Sequence, residues 1–214
     1  FALLSQDRAA AAVSAGYFDS QIVPVPVRVK RDTVDFIRDE HPKATTLDKL
    51  SGLQPVFEKD GTVTAGNASG LNDGAAAVVL ATADAAQNAG LTPKFRVLGY
   101  AHAGVRPEVM GIGPVPAVQN LLKKTGLSVH DFDVIESNEA FASQALAVSK
   151  ELGFDPTRVN PNGRAIALGH PVGATGAIIT IKAMYELERT SAKRALITMC
   201  IGGGQGIALS IERI

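Results

Sequence analysis

A chain of 214 residues with 46% hydrophobic and 20% charged side chains has the material for one or two globular domains with a substantial core. Its 21 basic and 21 acidic residues cancel, so no overall field draws it to nucleic acid or to an anionic membrane, and little repulsion opposes self-association. A single cysteine excludes an internal disulfide and suits a reducing, cytoplasmic setting, and no apolar run approaches the ~18 residues of a membrane-spanning helix.

The chain opens at Phe1, inside a stretch that reads as a helix over residues 4–18 and stops near Gly16. Residues 22–30 alternate apolar and polar around Pro24 and Pro26, which predicts an edge strand or irregular extended segment. Arg28, Lys30 and Arg31 form a basic group there, either a solvated face or a contact for an anion. Residues 31–70 are charged and turn-rich without a sustained period, as expected of a long binding loop. From residue 73 the pattern changes. The apolar run 75–81 has the length of a buried strand, and 84–89 reads as a short helix ending at Gly90. A strand (95–101), a helix (116–125, stopped at Gly126), a strand at Val134 and Ile135, and a helix (140–152) follow. A helix over 176–188, entered through Pro171, then leads to two strands, 195–200 and 206–211. Gly202, Gly203 and Gly204 join those strands as a hairpin, and the alternation of strands with helices predicts a layered α/β fold.

Three polar residues stand in glycine-rich or strand-end settings. Asn138 lies where a strand hands over to a helix, so its amide either caps that helix or holds a water or carbonyl oxygen at a strand's carboxyl end. His170 sits among Gly169, Pro171, Gly173 and Gly176, placed either as a surface residue or as a donor to a developing oxyanion. Cys200 ends an apolar strand and meets three glycines, whose bare N–H groups favour a thiolate; otherwise it is a small buried hydrophobe. Those glycines precede a strand rather than a helix, which excludes a dinucleotide-binding loop. The four histidines, at 41, 102, 130 and 170, are scattered and make no metal-ligand cluster.

Five blocks occur together and in order: the run from Gly66 through Asn67, Ser69, Asn72 and Gly74 to Ala75; Met110-Gly111-Ile112-Gly113-Pro114; Asn138-Glu139-Ala140-Phe141-Ala142; Gly169-His170-Pro171-Val172-Gly173-Ala174-Thr175-Gly176; and Cys200-Ile201-Gly202-Gly203-Gly204-Gln205-Gly206. In this combination the chain resembles the thiolases, most nearly the acetyl-CoA acetyltransferase and β-ketothiolase branch. The resemblance implies an αβαβα layered fold, with residues 1–69 part of a loop domain that covers coenzyme A. Residues 70–91 would be a return segment of the first core domain, and 92–214 the second core domain. It implies catalytic roles for Asn138, His170 and Cys200, with the backbone of Gly202 completing an oxyanion hole. Ser69, Met110 and Phe141 would contact the substrate. No cofactor or metal is implied; acyl-coenzyme A thioesters are the expected substrates, and a homodimer or homotetramer of complete units the expected assembly. It further implies that the acylated cysteine belongs to a preceding half outside this chain, because Cys200 is the only cysteine. Two rivals remain at this level: a decarboxylating ketoacyl synthase, disfavoured by the presence of Cys200, and a non-catalytic coenzyme-A-binding or assembly subunit.

Overall fold

The computed structural model describes all residues from 1 to 214. Helix α1 (Ala2–Ser14) buries Ser5, Ala9 and Ala12, small side chains on one face that let its backbone approach a neighbour closely. It ends where Gly16 takes the left-handed conformation at φ +70°. Strands β1 (Val25–Val29) and β2 (Asp32–Phe36) make an antiparallel hairpin turned at Lys30 and Arg31. Both strands are largely exposed, which accommodates Pro26. The expectation of an extended segment at 22–30 is met, but residues 31–70 are not structureless: they hold β2 and the short helix α2 (Leu47–Ser51), capped by Thr46. A sequence period fails to show either, because neither element buries a face.

The run 75–81 departs furthest from expectation. It is unpaired up to α3 (Ala83–Asn88), and Val79 and Leu80 are 89% and 79% exposed. An apolar run of this length forms a sheet strand only beside another strand, and no strand of these 214 residues lies alongside it.

The remainder builds one sheet from β3 (Phe95–Gly104), β4 (Val134–Ser137), β5 (Arg194–Ile201) and β6 (Gln205–Arg213), in the order β3-β6-β5-β4. The pairs β3/β6 and β5/β6 are antiparallel, whereas β4 and β5 are parallel. Side chains alternate across the sheet, and each face has its own core. On one face Ile135 and Leu196 pack with Ala117, Val118 and Leu121 of α4 (Pro114–Thr125) and Val148 of α5 (Ala142–Leu152). On the other, Val134, Ala195 and Ile197 pack with Ile179, Ala183 and Leu187 of α7 (Thr175–Thr190). The short helix α6 (Ala165–Leu168) lies against α1.

Two corrections concern helix starts. Pro171 does not open α7; it begins a separate turn whose carbonyl accepts from the amides of Ala174 (2.9 Å) and Thr175 (2.8 Å). Asn138 does not cap α5, whose N-cap residue is Phe141.

The β5–β6 hairpin tip is seated against the start of α4, and the approach is so close that a Cβ at Gly206 would fall on the carbonyl of Gly113. We expect Gly206→Ala to cost about 1–3 kcal/mol or more, as overpacking does. Chemical denaturation checks this, with a fall in the midpoint at unchanged slope as the expected result.

Candidate active site

Strand β4 sits at the sheet's edge, where its unpaired side needs partners. Backbone bonds meet the need as far as Ile135, which donates to Arg158 O and accepts from Asn160 N, both at 2.9 Å. One step further a side chain takes over. Asn160 Oδ1 accepts from Ser137 N (2.9 Å) and its Nδ2 donates to Ser137 O (2.8 Å), so one amide reproduces a pair of strand bonds. From the other side, Asn138 N donates to Thr198 O of β5 at 3.0 Å. The backbone that presents Asn138 is therefore held from both edges at the carboxyl ends of two parallel strands.

The Asn138 side chain turns toward His170: Nδ2 lies 3.4 Å from His170 Nε2. Asn138 is buried, and its Oδ1 has no protein hydrogen-bond partner. His170 is half-buried, and its backbone N–H donates to Asn72 Oδ1 at 3.0 Å. Asn72 Nδ2 in turn faces His41 Nδ1 at 3.4 Å, while His41 Nε2 donates to Ile166 O at 3.2 Å. Gly169, at φ +91°, makes room for the Asn72 amide. Burial first, and the charge of Arg164 second, push the His170 pKa below its ordinary 6.5, so the ring is neutral at neutral pH.

Residues 67–72 lace the two site loops together. Asn67 O accepts from Ala142 N (2.8 Å), Ser69 N donates to Ala140 O (2.9 Å), and Leu71 bridges to His170. Ser69 is thereby brought to the chain beside Phe141, whose ring meets Phe57 edge-to-face at 6.1 Å. Met110 lies on a 3-10 turn (Pro107–Ile112) tied to α5 by Gln144 Nε2, which donates to Gly111 O at 2.9 Å. Cys200 pairs with Gly206 near the carboxyl end of β5, two residues beyond the Thr198 carbonyl that holds Asn138, and Gly202 is exposed in the hairpin turn that follows.

The structure thus joins Asn138 directly to His170, places Ser69 and Phe141 on the segments beside them, and sets Cys200 on the adjacent parallel strand. The sequence motifs contain Asn72 and Thr175 but assign neither a task, and Asn160 lies outside them. Asn72 and Asn160 act through side-chain bonds across 98 and 23 residues, which periodicity does not register.

Cys200 corrects one expectation. It is 6% exposed, and burial pushes its pKa above 9.0 despite a bond with its own backbone. The resting group is a thiol. Because it is the only cysteine, alkylation reports on it alone. Its rate should keep rising with pH through 9, and a plateau at lower pH would show a thiolate that this environment does not stabilise.

The model of the thiolase N-terminal domain matches residues 1–84, and that of the thiolase C-terminal domain matches residues 91–213. Beta-ketothiolase BktB of Cupriavidus necator is 59% identical over 100% of this chain, which covers 55% of that protein. The crystal structure of the Bacillus anthracis acetyl-CoA acetyltransferase superposes with a TM-score of 0.97 at 51% identity, covering 100% of this chain and 54% of that one. Human mitochondrial 3-ketoacyl-CoA thiolase in complex with CoA superposes at 0.90 with 47% identity, covering 100% and 53%. The chain therefore spans about half the length of the relatives it matches. With matches to both domains, and with Asn138 and Cys200 lying at the carboxyl ends of two parallel strands of an α/β fold, the chain belongs to the thiolase family.

Proposed function

We propose that this chain supplies the proton-handling part of a thiolase, which condenses two acyl-coenzyme A thioesters or cleaves a 3-ketoacyl-coenzyme A by way of an acylated cysteine. The observation that carries this reading is the meeting of the Asn138 amide with a neutral His170 ring beside the strand that ends in the chain's only thiol. An α-carbon acid is weak, so the chemistry needs donors fixed around the enolate oxygen and a base near the α-carbon. His170 Nε2 takes the proton of the acyl-accepting cysteine and then donates to the thioester oxygen, with Asn138 positioning a water beside it. Cys200, a thiol at rest, gives its proton to the departing coenzyme A sulfur during acylation and is thereby left as the thiolate that removes a proton from the α-carbon of the second thioester. The N–H of Gly202 serves a second oxyanion. Since Cys200 is the only cysteine, the acyl-accepting one lies outside these 214 residues.

Residues 1–69 cover coenzyme A in this reading, with Ser69 against its pantetheine arm and Met110 and Phe141 lining the acyl end. Residues 70–91 return to the first core domain, where the exposed run 75–81 gains the strand partner it lacks here, and 92–214 form the second. No helix is long and apolar enough to cross a membrane. Complete units assemble as dimers or tetramers in a reducing compartment such as the cytoplasm; light scattering that found only monomers would refute the assembly.

Two measurements test the activity. The purified chain alone should not cleave acetoacetyl-coenzyme A, and adding the part of the Cupriavidus necator relative that it does not cover should restore cleavage. Failure to restore it, or turnover by the chain alone, would sink the assignment. In the restored unit Cys200→Ala should leave acylation largely intact while slowing α-proton exchange by roughly 10²-fold or more, the usual weight of a general base. His170→Ala should impair both steps. Deuterium exchange at the acetyl group, set beside a burst assay of acylation, separates the two.

A further inference from the structure

The mechanism above assigns no task to Thr175, which is fully buried in the first turn of α7. Its hydroxyl makes two short contacts: Oγ1 lies 2.7 Å from His170 Nδ1 and 2.8 Å from Pro171 O. A hydroxyl has one proton to give, and a carbonyl oxygen only accepts. Two oxygens 2.8 Å apart with no proton between them repel, so the Thr175 proton belongs on the line to Pro171 O. The contact to Nδ1 is then satisfied only if the ring donates to Thr175. A neutral imidazole carries one N–H, which leaves Nε2 with its lone pair. That lone pair faces the Asn138 Nδ2 group at 3.4 Å, a donor meeting an acceptor. The opposite tautomer requires two changes at once. The Asn138 amide would have to turn over, and Thr175 would have to abandon Pro171 O.

We propose that Thr175 is a positioning residue that sets the tautomer of His170, holding a proton on Nδ1 so that Nε2 is the free base facing Asn138. The inference deepens the thiolase reading, on which the consequence for acyl transfer rests, but the tautomer itself does not depend on that reading. The chain Nδ1–H to Thr175 O–H to Pro171 O runs away from the site, with Pro171 O as its terminal acceptor. When Nε2 gains a proton, the resulting imidazolium still donates from Nδ1 to Thr175, so no partner has to move. A ring held in the other tautomer would have its proton on Nε2 from the start and nothing with which to take one from a thiol.

The test is nitrogen NMR on the full 214-residue chain labelled with 15N-histidine, at pH 8, where His170 is neutral. Long-range couplings from the ring carbon protons identify the nitrogen that bears hydrogen, and His170→Gln assigns the signals among the four histidines. The Nδ1–H form is expected in the wild type and in Thr175→Ser, which keeps the hydroxyl. In Thr175→Val the Nε2–H form should become the major one. An Nε2–H ring in the wild type overturns the proposal, and so does an unchanged Nδ1–H ring in Thr175→Val. If Thr175→Val does not fold, the wild-type spectrum still decides. In the restored two-part enzyme, Thr175→Val should slow acylation by roughly 10²-fold or more with rescue in Thr175→Ser, as expected when a base is held in the wrong tautomer. Loss in both variants alike would indicate a packing role instead. Absence of thiolase activity in the restored wild type would refute the functional reading while leaving the spectroscopic result to stand by itself.

Discussion

A carboxylate without access to water holds the site's parts in register. Glu139 follows Asn138 directly and is almost fully buried. It accepts from Ser5 Oγ at 2.6 Å, from Asn160 Nδ2 at 3.0 Å and from Ile166 N at 3.3 Å. Burial raises its pKa, while those three donors and the charge of Arg164 oppose the rise. A buried carboxylate of this kind is tolerable only when its lone pairs are met, and each hydrogen bond to a charged group contributes about 1.5–3 kcal/mol. The donors come from α1, from the segment that clips β4, and from α6, which leads to His170. Satisfying one side chain thus fixes the relative position of three chain segments, and Asn138 is carried on the residue next to it.

A second buried ionic group lies behind the first. Arg164 and Glu136 are both wholly buried and approach to 4.0 Å, while Lys182 lies over the Phe18 ring at 4.3 Å. Burial raises the Glu136 pKa and lowers that of Lys182, and their opposite charges restrain both shifts. Such ion pairs add little net stability, because desolvation offsets most of the attraction, but breaking one costs about 3–5 kcal/mol. Their reach toward the site is electrostatic. The positive charge of Arg164 adds to burial in depressing His170, which favours the neutral ring that a base requires. The sign matters for stability as well. A histidine whose folded pKa lies below its unfolded value is stable with the fold above about pH 6.5, and loses stability as pH falls from there toward the folded pKa.

How far the sequence disclosed this arrangement depended on the kind of signal. The helices α4, α5 and α7 repeat apolar residues at the helical period, β6 alternates, and β5 is an almost continuous apolar run ended by glycines, so all five are legible within a few residues. Asn138, His170 and Cys200 stood out through their glycine-rich or strand-end settings. The clip made by Asn160 did not, because an amide standing in for a strand depends on a backbone at φ +46° and on a chain reversal 23 residues away. Cys200 was read from the glycines after it, which suggested a stabilised thiolate. Burial prevails, since a thiol with 6% exposure is governed by desolvation more than by the turn beyond it. The run 75–81 shows the limit from the other direction: its composition describes a buried strand correctly as chemistry, while burial needs a partner that composition does not contain.

That unpaired run begins close to the site. Asn72, which holds the His170 backbone, is followed by Asp73 and then by Gly74, whose backbone lies against the Pro171 ring so tightly that a Cβ there would approach it to 2.6 Å. Apolar exposure begins again a few residues later, at Val78, Val79 and Leu80. Exposed apolar patches are energetically unfavourable in water, and pairing these residues with a neighbouring strand would fix the path of residues 75–81. The chain between that run and Asn72 is too short to absorb a displacement, since an extended residue spans only about 3.3 Å. Anchoring the run therefore bears on Asn72, and Asn72 bears on the backbone of His170. Anchoring the run 75–81 and orienting the His170 backbone are consequently one mechanical problem, solved by the same few residues.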